Sequence, residues 1–242
     1  MEMKRELTHG SLFSGVEGFG LGAALAGIRT EWSCEFEEYQ TKVIKKNFGD
    51  GHTVYGDIRT LENPPFVNII SGGFPCQDIS VAGKGAGIKG GRSGLWGQMH
   101  RIIGDVRPDY VIIENSPQLR KRGLEYVLHG LSEIGYDAQW QCLQGSFIGM
   151  QQRRERIYII AYPTGKFSER QRAKSVFRQP YLPGESGRIY PGWRDRRSLP
   201  EPRTFRSTHG IPDLMDRNKC VGNAVQPLMA QYLFECIKCF DE

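Results

Sequence analysis

No apolar run in this chain approaches the ~20 residues that a membrane-spanning helix requires. The opening Met1-Glu2-Met3-Lys4-Arg5-Glu6 leads into mixed sequence without the apolar core of a secretory signal. Both absences point to a cytoplasmic protein. Metal-ligand spacing is nearly absent too. Cys34, Cys76, Cys142, Cys220, Cys236 and Cys239 are scattered, and only the last two form a C-x-x-C pair. A zinc site wants a second such pair or nearby histidines, and the closest histidine in sequence is His209. The pattern Tyr232-Leu233-Phe234-Glu235-Cys236-Ile237 looks helical, so the pair reads as packing or surface residues of a terminal helix, and no metal site is expected. Internal repeats are missing as well, which argues against solenoid and propeller architectures.

What is present is ordinary in bulk and uneven in distribution. At 242 residues the chain suits one large domain, or one domain with a small lobe. The net charge of +5 is mild. Its location matters more. Between Pro163 and Pro200 nine basic side chains, from Lys166 to Arg197, face only three acidic ones, Glu169, Glu185 and Asp195. Phe167, Phe177, Tyr181, Tyr190 and Trp193 are interleaved with them. Such a segment suits phosphate contacts combined with stacking or groove packing; the alternative is a solvated arginine-rich loop. Arg172, Arg194, Arg196 and Arg197 are its candidate phosphate contacts, which would make the protein nucleoid-associated.

From the start to about residue 161, short apolar runs alternate with helical patterns, the signature of parallel βα units. Strands are expected at Thr8–Phe13, Thr30–Cys34, Thr53–Tyr55, Val67–Ser71, Tyr110–Glu114, Asp137–Leu143 and Ile157–Ala161. Helices are expected at Phe19–Ile28, Glu37–Phe48, Lys121–Ile134 and Pro227–Cys239. Gly83 to Gly97 holds seven glycines in fifteen positions and reads as a mobile loop. The fold class is α/β, with a mostly parallel sheet of Rossmann-like order. The texture changes after Ala161, and the chain divides into three regions, 1–162, 163–208 and 209–242.

The stretch Ser14-Gly15-Val16-Glu17-Gly18-Phe19-Gly20 follows the first strand. Its glycines would let backbone approach a ligand at a helix N-terminus, although it is not a strict G-x-G-x-x-G. Glu35, twenty residues after Gly15 and at the end of the second strand, stands where a carboxylate would accept ribose hydroxyls. Phe36 beside it could cover an adenine ring. Asp57 and Ile58, after the third strand, could take the adenine amino group and pack against its face. Each has an ordinary structural reading when taken singly; the three in order point to an adenosine.

Cys76 lies in Gly72-Gly73-Phe74-Pro75-Cys76-Gln77, just past a strand-like run, and strand ends are where open α/β sheets bind substrates. Val111-Ile112-Ile113 then ends in Glu114-Asn115, and Gln152-Arg153-Arg154-Glu155-Arg156 precedes the last apolar run. Proline-cysteine, glutamate-asparagine and Gln-x-Arg-x-Arg, each at a strand edge, resemble the DNA cytosine-5 methyltransferases. The resemblance covers about 1–161 and 217–242. It implies a methyltransferase of the S-adenosyl-L-methionine type with a small basic lobe facing DNA, in which 1–162 is the catalytic and cofactor-binding domain, 163–208 a small target-recognition region, and 209–242 a segment returning to the first. Phe13, Gly15, Gly18, Glu35, Phe36, Asp57 and Ile58 match the family's cofactor motifs in order. Leu95 falls on a cofactor-contacting position, Pro75 borders the site, and Asn223, Ala224 and Val225 resemble the last motif, which closes over the methionine end.

The resemblance also implies the chemistry. Carbon 5 of cytosine is a poor nucleophile until a thiolate adds to carbon 6, an instance of covalent catalysis. Cys76 would be that thiolate, favoured by Arg154 and Arg156 against a free pKa near ~8.5. Glu114 would bind or protonate ring N3, a role suited to a partly buried carboxyl. Arg156 would bond O2 of the base, and Asn115 would shape the pocket with Pro75. A ring stacked in a duplex must first be flipped out. Gln77, Ser80, Lys84 and Arg92, after the nucleophile, would then meet the DNA. The expected partner is duplex DNA with a flipped cytosine, bound by a monomer. A companion restriction endonuclease and an orphan or phage enzyme are both left open.

Three departures from the family pattern stand out. Met150-Gln151 replaces the frequent proline before Gln152, Ala224 replaces a common serine, and Thr208-His209-Gly210-Ile211-Pro212 stands in for the penultimate motif. The recognition region is short, so a site of few base pairs is expected. Rival readings are a tRNA cytosine-5 methyltransferase and a non-catalytic DNA-binding relative. The first would usually carry Phe-Thr after Pro-Cys-Gln, and the second would not need Cys76, Glu114, Arg154 and Arg156 together.

Overall fold

Strands that are covered on both faces read as continuous apolar runs, and Tyr110-Val111-Ile112-Ile113 is such a run. A computed structural model describes residues 6–75, 94–150, 153–178 and 224–241. Its strands are β1 (Thr8–Leu12), β2 (Arg29–Cys34), β3 (Thr53–Tyr55), β4 (Ile69–Gly72), β5 (Tyr110–Asn115), β6 (Tyr136–Gln144) and β7 (Glu155–Pro163). They form one sheet in the order β3-β2-β1-β4-β5-β7-β6. The first five strands run parallel. β7 inserts antiparallel between β5 and β6, pairing Glu114 with Tyr158 and Asn115 with Ile157. The expected α/β class and mostly parallel sheet are observed.

The helices are α1 (Gly18–Leu25), α2 (Glu38–Phe48), α3 (Leu95–Val106), α4 (Leu119–Arg122), α5 (Leu124–Glu133), α6 (Glu169–Arg172) and α7 (Pro227–Asp241). Two cores lie on opposite faces of the sheet. One packs Trp96, Met99, Ile102 and Ile103 of α3 and Val127 and Leu131 of α5 against Ile70 and Ile113. The other packs Phe19 and Ala23 of α1 and Ala230, Leu233 and Phe234 of α7 against Ile69, Ile112 and Ile160. Residues 163–178 add to this second core through Phe167, Val176 and Phe177, all buried. The layers are therefore α/β/α. No helix of the described residues is long and apolar enough to cross a membrane.

Several expectations need correction. The helix α3 was not anticipated, because its N-terminus directly follows the glycine-rich stretch. Its apolar stripe of Trp96, Met99, Ile102, Ile103 and Val106 nevertheless has helical spacing. The single helix expected over Lys121–Ile134 is instead two. Gly123, at φ 153°, ends α4 and starts α5. β4 begins at Ile69 rather than Val67 and runs one residue further, to Gly72. The terminal helix carries Cys236 buried and Cys239 half-buried, as read from its pattern.

Glycine has a steric role where helix and strand meet closely. A Cβ on Gly10 would lie 2.3 Å from the Trp32 ring, and one on Gly22 would lie 2.4 Å from Ala230 Cβ. The first absence lets Trp32 lie across β1. The second lets α7 seat against α1.

Candidate active site

Parallel strands present their C-terminal ends together, and in open α/β sheets ligands bind in the crevice there. The ends of β1, β2, β3, β4 and β5 surround one cleft of about 1020 Å³. On one wall stand Phe13, Gly15, Glu35, Phe36, Asp57 and Ile58. Opposite them are Pro75, Leu95, Glu114, Arg154, Arg156, Ala224 and Val225. Sequence positions far apart thus share a single space. Gly18 lies behind it, so close to Val225 that a Cβ would meet the Val225 carbonyl oxygen at 2.2 Å. Arg172 sits on α6, where Asp137 lies 3.7 Å from its guanidinium. Cys76, Gln77, Ser80, Lys84, Arg92, Arg194, Arg196, Arg197 and Asn223 fall outside the described residues.

The loop after β1 has a distinctive backbone. Phe13, Gly15 and Glu17 adopt φ 52°, 57° and 67°. Non-glycine residues rarely take that left-handed conformation, and they cluster at ligand sites when they do. The Gly15 N–H donates to Glu35 Oε2 at 2.7 Å, and the Glu37 N–H donates to Oε1 at 2.8 Å. Burial raises the Glu35 pKa, and these two backbone donors oppose the rise. A Cβ on Gly15 would meet nothing within 4 Å, so the space beside its backbone is open to a ligand. Phe36, 70% exposed, is an uncovered aromatic face at the same wall. Asp57 caps the 3₁₀ turn Ile58–Thr60 by accepting the Arg59 N–H. Its carboxylate also holds the Arg59 guanidinium, which lowers its pKa. These residues fit an adenosine: carboxylates for the hydroxyls and amino group, and apolar faces for the ring.

At the other wall Glu114 and Arg156 meet side by side, Arg156 Nε lying 3.0 Å from Glu114 Oε1. Alternation places them together. β5 and β7 are antiparallel neighbours, and Glu114, Arg156 and Tyr158 project from the same face of the pair. Desolvation raises the Glu114 pKa, with the charges of Arg156 and then Arg154 acting against it. The result is a buried carboxyl held above the usual range beside a permanent cation. Arg154 Nη1 donates to the Ala224 carbonyl at 3.2 Å, joining the end of β7 to the segment that leads into α7.

Sequence reasoning underestimated two residues here. Asn115 Nδ2 donates to the Phe74 carbonyl at 2.9 Å, and its Oδ1 accepts the Ser116 N–H. It therefore ties the strand end carrying Glu114 to the loop carrying Pro75, immediately before Cys76. Gly73 was not singled out at all. A Cβ there would lie 2.8 Å from Glu114 Oε2, so only glycine leaves that carboxyl its present place. The signal available was a Gly-Gly pair at a strand end, which marks close approach without naming what approaches.

A family model for the C-5 cytosine-specific DNA methylase matches residues 7–189. The chain belongs to that family. Among its relatives, the Type II methyltransferase M2.BsuMI of Bacillus subtilis (strain 168) is 36% identical over 159 residues, covering 62% of this chain and 41% of its own length. M.NgoBI of Neisseria gonorrhoeae is 34% identical over 157 residues, covering 62% of this chain and 49% of its own. The chain therefore spans less than half the length of these two relatives. Two solved structures share the fold. A mutant of Spodoptera frugiperda DNMT2 aligns with TM-score 0.56 at 20% identity, over 68% of this chain and 52% of that one. Entamoeba histolytica methyltransferase EhMeth aligns with TM-score 0.54 at 18% identity, over 69% and 56%.

Proposed function

We propose that this methylase-family chain transfers a methyl group from S-adenosyl-L-methionine to carbon 5 of cytosine in duplex DNA. The target is a base flipped out of a short recognition site. One observation carries the reading. The half-buried Glu114–Arg156 pair opens into the same cleft as Glu35, Phe36 and Asp57, so an acid for a heterocycle and a holder for an adenosine share one space.

When bound, the cofactor supplies an electrophilic methyl group; the rest falls to the chain. Cys76, the residue after the cleft-lining Pro75, adds to carbon 6 of the base, and Arg154 and Arg156 favour its thiolate. Glu114, whose pKa desolvation raises against the charges of Arg156 and Arg154, is placed to bind or protonate ring N3, which draws electron density from the ring as the thiolate adds. Arg156 is positioned by Glu114 to donate to O2. Asn115 holds the Phe74–Pro75 backbone against the end of β5. After methyl transfer the C5 proton leaves to solvent and Cys76 is expelled. Gln77, Ser80, Lys84 and Arg92 follow the nucleophile and serve the DNA strand, with Arg172, Arg194, Arg196 and Arg197 as phosphate contacts.

Transfer of labelled methyl to duplex DNA and to tRNA in parallel, followed by base-resolution mapping, tests the reading. Label on duplex DNA in one short sequence context, abolished by Cys76→Ala, is expected. Label on tRNA alone would move the substrate to RNA. Full transfer by Cys76→Ala would refute the covalent mechanism.

A further inference from the structure

Arg101 lies on α3, six residues after the cleft-lining Leu95. Its Nη2 donates to two backbone carbonyls, Ile58 O at 3.0 Å and Leu61 O at 2.9 Å. Neighbours on its own helix hold the guanidinium in place. Nε donates to Gln98 Oε1 at 3.1 Å, and Nη1 reaches Asp105 Oδ2 at 3.4 Å. The two carbonyls belong to the 3₁₀ turn Ile58–Thr60 and its C-terminal cap Leu61. A helix end leaves carbonyls without partners inside the helix, and within this turn Ile58 O receives only the long 3.3 Å bond from Leu61 N–H. Arg101 supplies what the turn cannot. The cleft-facing side of the same turn carries Asp57 and Ile58. The side chain paired with Asp57, Arg59, is mostly exposed and cannot fix the turn from beneath.

We propose that Arg101 is a positioning residue for the methyl donor: its clasp on the Ile58 and Leu61 carbonyls sets where Asp57 and Ile58 meet the adenine, and ties that wall to the helix carrying Leu95. The proposal rests on the adenosine reading of the cleft given above. It requires a planar fork rather than a point charge, because one side chain must satisfy two carbonyls, an amide oxygen and a carboxylate at once. Lysine at this position would keep the charge and lose the geometry.

The test uses the full chain carrying Arg101→Lys, Arg101→Met, Asp57→Ala, and Asp57→Ala combined with each Arg101 variant. Binding of S-adenosylhomocysteine is read by calorimetry, and amide exchange is read at residues 58–61 and in β5 without ligand. Arg101→Lys is expected to weaken binding about tenfold and to speed exchange at 58–61 but not in β5. In the Asp57→Ala background the same change is expected to add less than threefold, because the polar contact it positions is already gone and only the Ile58 packing remains. Turnover at saturating cofactor is expected to stay within threefold, so that the loss appears in KM. Fully additive losses, unchanged exchange at 58–61, or exchange rising equally in β5 would overturn the proposal; Arg101→Lys decides these points even where Arg101→Met fails to fold. Asp57→Ala without effect on binding would refute the adenosine reading itself. Asp57→Ala weakening binding while Arg101→Lys does not would refute only the positioning role.

Discussion

Gly22→Ala sets two well-understood effects against each other and has a definite winner. In an isolated helix the change would favour folding by ~1 kcal/mol, because alanine has the better helix propensity. In this protein Gly22 is buried where α1 meets α7. Its new Cβ would lie 2.4 Å from Ala230 Cβ, 2.7 Å from Pro227 O and 2.8 Å from Gln231 N. Two of those three atoms are backbone, so no rotamer change relieves the contact. Apolar carbons pack at ~3.5–4.0 Å, so α7 must withdraw by ~1 Å at this point. Overpacking a tight core typically costs ~1–3 kcal/mol and can exceed that. With so short an approach on backbone we take the upper part of the range, leaving a net destabilisation of ~1–2 kcal/mol after the propensity gain. For a chain of this size that lowers Tm by ~2–8 °C.

The consequence reaches the site. α7 is preceded by Ala224 and Val225, which line the cleft, and the Ala224 carbonyl accepts from Arg154. Withdrawal of α7 is expected to weaken cofactor binding several-fold as well. Denaturant unfolding with cofactor calorimetry reads both effects. The decisive comparison is Gly22→Ala with Ala230→Gly. The double variant relieves the clash with Ala230 Cβ but not those with Pro227 O and Gln231 N, so it should be more stable than the sum of the singles by ~0.5–1 kcal/mol, a coupling expected of residues in contact, while remaining less stable than the native chain. A Tm increase for Gly22→Ala, or additive behaviour of the pair, would refute the argument.

Glu114→Gln keeps the shape beside Arg156 but cannot supply an acidic proton; turnover should fall by ~10²–10⁴ while S-adenosylhomocysteine affinity changes less than threefold, and unaltered turnover would exclude Glu114 as the acid. Gly73→Ala brings a Cβ to 2.8 Å from Glu114 Oε2, the movable end of a side chain; Tm should stay within about 2 °C while turnover falls at least tenfold, and a parallel loss of both would mean that the backbone rather than Glu114 is displaced. Glu17 is fully buried, and desolvation raises its pKa from 4.5 to about 7 against hydrogen bonds from Ser33 and Gly20, with Glu35 adding to the rise. The folded state then binds the extra proton between those values, so stability falls as pH rises from 4.5 through 7 by an amount on the order of 3 kcal/mol. Urea unfolding of Glu17→Gln across pH 4–8 should lack that fall, with Ser33 and His52, the latter linked to Ser33 at 2.7 Å, left in place; identical slopes for the two proteins would refute the assignment.

The parts of the fold that were legible are those in which local pattern and tertiary role coincide. β5 was recognisable because a strand buried on both faces must be apolar throughout, and α2 because its ends agree with its periodicity. Glu35, Asp57 and Glu114 converge on one cleft because each stands at or just past a strand end, and parallel strands deliver their ends to one edge. What the pattern could not give is pairing across the chain. Arg101 reads as an ordinary helix arginine, and nothing local says that it faces the carbonyls of Ile58 and Leu61 some forty residues earlier. Asn115 was expected to shape the pocket, yet its bond to Phe74 O is set by the register of β4 on β5. The helix α3 was hidden by its neighbours, since glycines at 94, 97 and 104 dilute a stripe whose spacing was otherwise helical. Gly123 was read through because a single glycine inside a periodic run is normally tolerated; its backbone angle ends one helix and begins another.

The loop after β1 carries the largest local conflict between sequence and conformation, and its position explains why the conflict persists. Two non-glycine residues, Phe13 and Glu17, hold left-handed backbone angles there, each at a cost of order 1 kcal/mol or more. Glu17 also buries its carboxyl completely. Its surroundings offset both costs: Ser33 Oγ donates to one carboxyl oxygen and the Gly20 N–H to the other, at 3.2 Å, while the Glu17 N–H closes a turn on Ser14 O at 2.8 Å. Ser14 is in turn bonded to Cys34 on β2, next to Glu35. The strained turn is thereby locked to the strand that carries the proposed ribose acceptor. A loop locked in this way loses little conformational entropy when a ligand arrives, because its ordering cost was met during folding. The same locking makes Glu17 protonation a perturbation of the loop itself, since the carboxyl that titrates near neutrality is the one that caps α1. Stability and ligand affinity should therefore share a pH dependence in this protein, whereas a loop closed only by glycines would show no such link.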